Sequence, residues 1–114
     1  KFSLKIKFMP SNKIILEVIT DEKHIPETIQ WEVPQIMEKG ECKSIALALW
    51  DTKENNTLRI DVWTKDMTTD EMKKFLLQSI ITFCDTYERA TSNTPLADKI
   101  KQFIIHIAKE EKVI

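Results

Sequence analysis

The stretch that most constrains this chain is LALWDTKENNTLRIDVWTKD, residues 47–66, which reads as a β-hairpin running into a helix start. Two alternating runs, 45–50 and 57–64, flank the polar tip Lys53-Glu54-Asn55-Asn56, a composition suited to a turn. An even tip, four residues being the simplest, places Ile45, Leu47 and Leu49 on one face with Leu58, Ile60 and Val62. An odd tip would turn one apolar row out to water, so the pattern itself selects the register. The opposite face then carries Ala46, Ala48, Trp50, Arg59, Asp61 and Trp63. A plain solvated face has little use for two tryptophans.

With residues 53–56 as the tip, Trp50 is expected opposite Arg59, and Ala46 opposite Trp63. Arg59 is then placed to stack on an indole, an interaction worth about 0.5–2 kcal/mol, and to pair with Asp61 along its own strand. Two readings of Trp50, Arg59, Asp61 and Trp63 stand side by side. Tryptophan and arginine with few lysines is the composition of interaction hot spots, which makes the face an interface with a second copy or another protein. Alternatively the indoles only pack the sheet, covered by the first strands or by residues 34–41.

Elsewhere, Phe2, Leu4, Ile6 and Phe8 alternate with polar residues as a half-buried strand does, and Met9-Pro10-Ser11-Asn12 breaks the run. Residues 13–20 are rich in β-branched side chains and predict a second strand. A short strand follows over 28–33, with Pro34 ending it or marking it as an edge. Residues 35–41, holding the chain's one glycine, Gly40, read as a loop. The helical half opens with Thr68 and Glu71 at capping-box spacing. Met72, Phe75, Leu76, Ser79, Ile80, Phe83 and Tyr87 then recur at helical intervals over about 69–90, Ile81 and Cys84 widening the stripe, with Arg89 at the favourable carboxyl end. A second helix over about 95–110 has Thr94 as its expected cap, Pro95 at its first position, and Leu96, Ile100, Phe103, Ile104 and Ile107 as its apolar face.

Strands followed by helices predict an α+β fold: an antiparallel meander of four to five strands with two carboxyl-terminal helices packed on one face. The row from Ile45 to Val62 is expected beneath the first helix. At 114 residues the chain has the length of a single domain, residues 1–114. Seventeen basic against eighteen acidic residues build no positive footprint, which argues against nucleic acid as a partner. Cys42 and Cys84 are not a disulfide scaffold and read as two reduced thiols. With no apolar run near the ~20 residues that span a bilayer and no signal-peptide pattern at the amino end, a cytoplasmic location is expected.

Reactive chemistry is sparse. His24 and His106 have no nucleophile context, no Cys/His set has zinc spacing, and a single glycine offers no phosphate-cradling loop. Asp61, Asp66, Asp70 and Glu71 crowd the strand-to-helix corner, but Asp70 and Glu71 have sufficient work at the helix start. No enzyme activity, metal or cofactor is expected.

The run LWDTKENNTLRIDVWTKDMTTDEMK resembles the signature of the GldC family, gliding-motility-associated proteins of Bacteroidota. Ile25-Pro26-Glu27 followed by Ile29 and Trp31, and then 85–91, DTYERAT, extend the similarity to roughly residues 13–110. The resemblance implies a small accessory protein of the gliding apparatus with no assigned reaction, and it supplies no catalytic residue. Family members begin near the position of Met9, so residues 1–8 are either an added strand or come from an upstream start. The strands-then-helices order is also similar to that of SecB-type export chaperones, a likeness of topology only. The functions this leaves are an interaction protein acting as a dimer or higher oligomer or through a partner, a SecB-like holdase for exported gliding components, and a small-ligand-binding domain.

Overall fold

The computed structural model describes residues 10–114, so the strand expected over residues 2–8 lies outside the described residues. The fold is α+β as expected: among the described residues five antiparallel strands in sequence order precede two helices. Contacts divide the chain into two compact units, one ending at Met67 and the other spanning Thr68–Ile114. Each is described in turn.

In the strand unit the meander breaks into two sheets. Strands β1 (Ile15–Thr20), β2 (Pro26–Val33) and β3 (Glu38–Cys42) form one sheet in that order, and β4 (Ser44–Trp50) with β5 (Thr57–Trp63) forms a two-stranded ribbon. The break falls at Lys43. There the Lys43 carbonyl accepts the Thr64 amide at 2.8 Å, and the buried Thr64 hydroxyl donates to the Asp66 carboxylate at 2.6 Å. A buried hydroxyl needs such a partner, while the Lys43 carbonyl, which also lies 3.4 Å from this hydroxyl, ties the end of β5 to the start of β4.

The β1–β2 connection is closed by Asp21, whose carboxylate accepts the amides of Lys23 and Ile25 while His24 takes a left-handed conformation at φ 63°. His24 is thus a turn residue. Strand β2 is central, pairing with β1 on one side and β3 on the other, and its Ile29 and Val33 are fully buried. Pro34 therefore marks no edge strand. It follows β2 as the first residue of a 3-10 turn, Pro34–Ile36, where a missing amide costs nothing.

The expectation of a loop over 35–41 is corrected by β3, which puts Gly40 directly opposite Trp31. A β-carbon at Gly40 would lie 3.1 Å from the indole Cε2, Cζ2 and Nε1 atoms, and the glycine's φ is not positive. Gly40 is there for the close approach of a ring, not for a turn.

In the helical unit, α1 (Thr69–Thr91) starts with the predicted capping box: the Glu71 amide donates to Thr68 Oγ1 at 3.0 Å and the Thr68 amide to Glu71 Oε1 at 2.9 Å. The cap of α2 (Thr94–Glu110) is Asn93, not Thr94. Asn93 Oδ1 accepts the Leu96 amide at 3.3 Å, while the Thr94 hydroxyl is engaged by Glu88 Oε2 at 2.8 Å.

The buried faces match the predicted stripes in part. Cys84 and Ile104 are buried as expected, but so are Leu77 in α1 and Ala97 and Ala108 in α2, whereas Leu76, Phe83, Leu96, Ile100 and Phe103 are exposed. The core cluster is Leu77, Ile104 and Ala108, flanked by Ile80, Ile81, Ile107 and Val113. Small side chains admit close approach of two helices, so the contact line follows them rather than the bulkiest apolar row. Lys101 lies between the helices, 2.6 Å from Asp85 and 3.7 Å from Glu88, and Lys73 pairs with Glu111 at 2.8 Å.

Candidate functional site

The ribbon keeps the even register that its apolar pattern requires: Ile45 pairs with Val62, Leu47 with Ile60 and Leu49 with Leu58. The individual partners on the other face are corrected by two positions. Trp50 lies opposite Thr57, Ala48 opposite Arg59, Ala46 opposite Asp61, and Ser44 opposite Trp63. The cause is the turn. Asp51 and Asn56 close it, with the Asp51 amide donating to the Asn56 carbonyl at 2.9 Å and the Asn55 amide to the Asp51 carbonyl at 3.0 Å. The Asp51 carboxylate accepts the Glu54 amide at 2.6 Å, and Asn55 supplies the left-handed residue at φ 54°. The four-residue tip is therefore residues 52–55, one position earlier than the composition suggests. An aspartate that binds amides further along the loop starts a turn more firmly than a lysine does.

This register gives the face a definite layout. Arg59 and Asp61 are two apart on β5 and form an ion pair at 2.7 Å, each about half exposed. Their strand partners are the two alanines, so the ion pair has a low floor beside it. The hydrogen bond to Asp61 raises the Arg59 pKa further above its ordinary value. Trp50 and Trp63 stand at diagonally opposite corners, 68% and 57% exposed. Six residues of strand separate their levels, roughly 20 Å at ~3.4 Å per residue. The structure thus brings all four predicted residues to one face, with the indoles as posts at its ends and a salt-bridged, shallow centre.

Two residues that sequence reasoning missed join this face. Ile25 and Pro26 border Trp63, and with Asp61, Val62 and Lys65 they line a solvent-open recess of about 300 Å³. Pro26 is held there by its carbonyl, which accepts the Lys65 amide at 3.0 Å. The Lys65 ammonium lies 3.1 Å from both Asp21 and Glu27. The Ile25 amide bond, then the Lys65 bond, hold the Asp21 carboxyl below the usual carboxylate range, and the same carboxylates raise the Lys65 pKa. No periodicity relates residues 25–26 to residue 63, so only the fold could join them.

The outer face of the three-stranded sheet, turned away from Ile29 and Trp31, lines a second open recess of about 380 Å³ with Glu17, Glu32, Lys39 and Glu41. Asp66 and Glu71 are accounted for by the Thr64 bond and the capping box. Cys42 is half-buried and Cys84 buried, both free thiols, and burial pushes the Cys42 pKa up. Among the described residues no group of three or more His, Cys, Asp or Glu could hold a metal ion, and no helix is long and apolar enough to cross a membrane.

The fold and this face together define a small α+β protein that presents two tryptophans and an ion pair on one ribbon face. The family model described as gliding motility-associated protein GldC-like matches residues 26–113. This chain belongs to that GldC-like family, and the match includes the whole β4–β5 ribbon and both helices. Neither the curated proteins nor the solved structures yield a match.

Proposed function

We propose that this GldC-like chain is a non-catalytic docking protein of gliding motility, working in the cytoplasm, that binds a protein partner through the face bearing Trp50, Arg59, Asp61 and Trp63. One observation carries the reading: two tryptophans of a folded ribbon are more than half exposed on the same face, around a preformed ion pair. Taking an indole at about 250 Å², covering both would remove roughly 310 Å² of aromatic surface from water, worth about 8 kcal/mol before the costs of association. Arg59 is already oriented by Asp61, so little side-chain entropy remains to be lost on binding. The recess beside Trp63 offers room for an apolar side chain of the partner.

The test is affinity capture under native conditions with wild type and a Trp50→Ala/Trp63→Ala variant, with solution mass measured on both. Loss of one specific partner from a variant that keeps its helical circular dichroism supports the reading. Unchanged association means that the indoles only pack the ribbon.

A second reading, a SecB-like holdase for exported components, is favoured by the opposite ribbon face, where Leu49, Leu58 and Ile60 are about half exposed. A holdase slows aggregation of an unfolded client, and a Leu49→Ser/Ile60→Ser variant loses that effect. Failure of the wild type to slow aggregation removes this reading.

A further inference from the structure

We infer that the helical hairpin is a self-association surface, which pairs with the same hairpin of a second copy. The observation is the uncovered flank formed by Leu76 and Phe83 on α1 with Leu96, Ile100 and Phe103 on α2, exposed by 55, 67, 42, 39 and 65% respectively. Leu96, Ile100 and Phe103 are spaced four and three apart, and Leu76 and Phe83 are one heptad apart, the spacing of a helix-packing seam. Each stripe is displaced from its own buried line, Leu77–Cys84 or Ala97–Ile104–Ala108, by about a third of a turn at roughly 100° per residue. The displacement has the same rotational sense along both chain directions. Antiparallel helices convert that into stripes on one side of the hairpin.

Two considerations identify the occupant as a second copy. The first is area. The five side chains expose on the order of 500 Å² of apolar surface, counting a fully exposed large side chain as about 200 Å². A stable dimer buries about 800 Å² per partner, of which about two-thirds is apolar in homodimers, so this flank alone supplies the apolar share. The second is charge. No charged residue lies between Leu76 and Phe83 on α1, and on α2 Lys99, three residues after Leu96 and four before Phe103, is the one charge beside the stripe. A second copy applied about a two-fold axis brings a surface of the same length and equally few charges. The hairpin's own buried core is thin, centred on Leu77, Ile104 and Ala108, and a four-helix arrangement thickens it.

The experiment is sedimentation equilibrium of the whole chain, comparing wild type, Phe83→Ser/Phe103→Ser and Trp50→Ala/Trp63→Ala. The expected result is wild type and the tryptophan variant at twice the 13.4 kDa chain mass, and the phenylalanine variant at the chain mass with unchanged helical content. Should the double change unfold the helices, Phe103→Ser alone is the readout, with the dissociation constant raised at least tenfold. A wild type that is monomeric at 100 μM, including one that instead binds a foreign protein on this flank, overturns the inference. So does a dimer that survives the phenylalanine changes, or one that dissociates only in the tryptophan variant.

Discussion

Gly40→Ala is a small change with a sign that the fold determines. Replacing glycine by alanine in a strand ordinarily stabilises by up to about 1 kcal/mol, because the unfolded chain loses freedom. At Gly40 the new methyl would sit 3.1 Å from three atoms of the Trp31 ring, where carbon atoms prefer about 3.5–4.0 Å. To relieve the contact the indole must shift by a few tenths of an ångström, by rotation about its side-chain bonds or by movement of β2, the central strand with Ile29 and Val33 buried. Overpacking of this kind costs about 1–3 kcal/mol, so the net expectation is a loss of about 1 kcal/mol. Urea unfolding of wild type, Gly40→Ala, Trp31→Leu and the double variant measures it as a cycle. The alanine should be neutral or stabilising once Trp31 is gone, giving a coupling of about 1 kcal/mol or more. Gly40→Ala that stabilises the protein with Trp31 in place would refute the packing argument.

The caps and the Asp21 turn make two further predictions. Asn93→Ala should cost about 1 kcal/mol through the lost bond to the Leu96 amide, and Thr94→Ala clearly less, as read by thermal unfolding; the reverse order would restore Thr94 as the cap. Asp21 is depressed by its amide bonds and by Lys65, so its contribution to stability is complete above its ordinary value of 3.8 and is lost as pH falls through the lower folded value. Asp21→Asn should therefore flatten the acid limb of the stability curve below about pH 4 and leave its shape near neutrality unchanged, measured by urea midpoints against pH; an unaltered acid limb would show that Lys65 and the Ile25 amide do not bind the carboxylate as described.

Much of this molecule is legible in its sequence where a local pattern has one physical solution. The even register of the ribbon follows from two alternating rows that must share a face, and the α1 start follows from Thr68 and Glu71. Legibility fails where the decision is made between segments or by a single atom. Asp51 moves the turn by one residue because its carboxylate captures an amide, and that shift rearranges every pair on the tryptophan face. Strand β3 was hidden because Glu38, Lys39 and Glu41 show no apolar alternation; its inward residues are Gly40, under a ring, and Cys42. The helix stripes misled in another way. Periodicity counts bulk, while the buried residues of the hairpin are Leu77, Cys84, Ala97, Ile104 and Ala108, three of them small. The face itself could be assembled from strand pairing alone, but Ile25 and Pro26 join it only through the Lys65 bonds.

Whether the Trp50–Trp63 face is the binding surface is decided by placing a photoreactive aromatic residue at position 50, 63 or, as a control on the outer face of the other sheet, 39, and irradiating the source cells. One discrete protein adduct is expected from positions 50 and 63 and none from position 39. Adducts at all three positions alike, or at 39 only, would show that partners do not dock on this face.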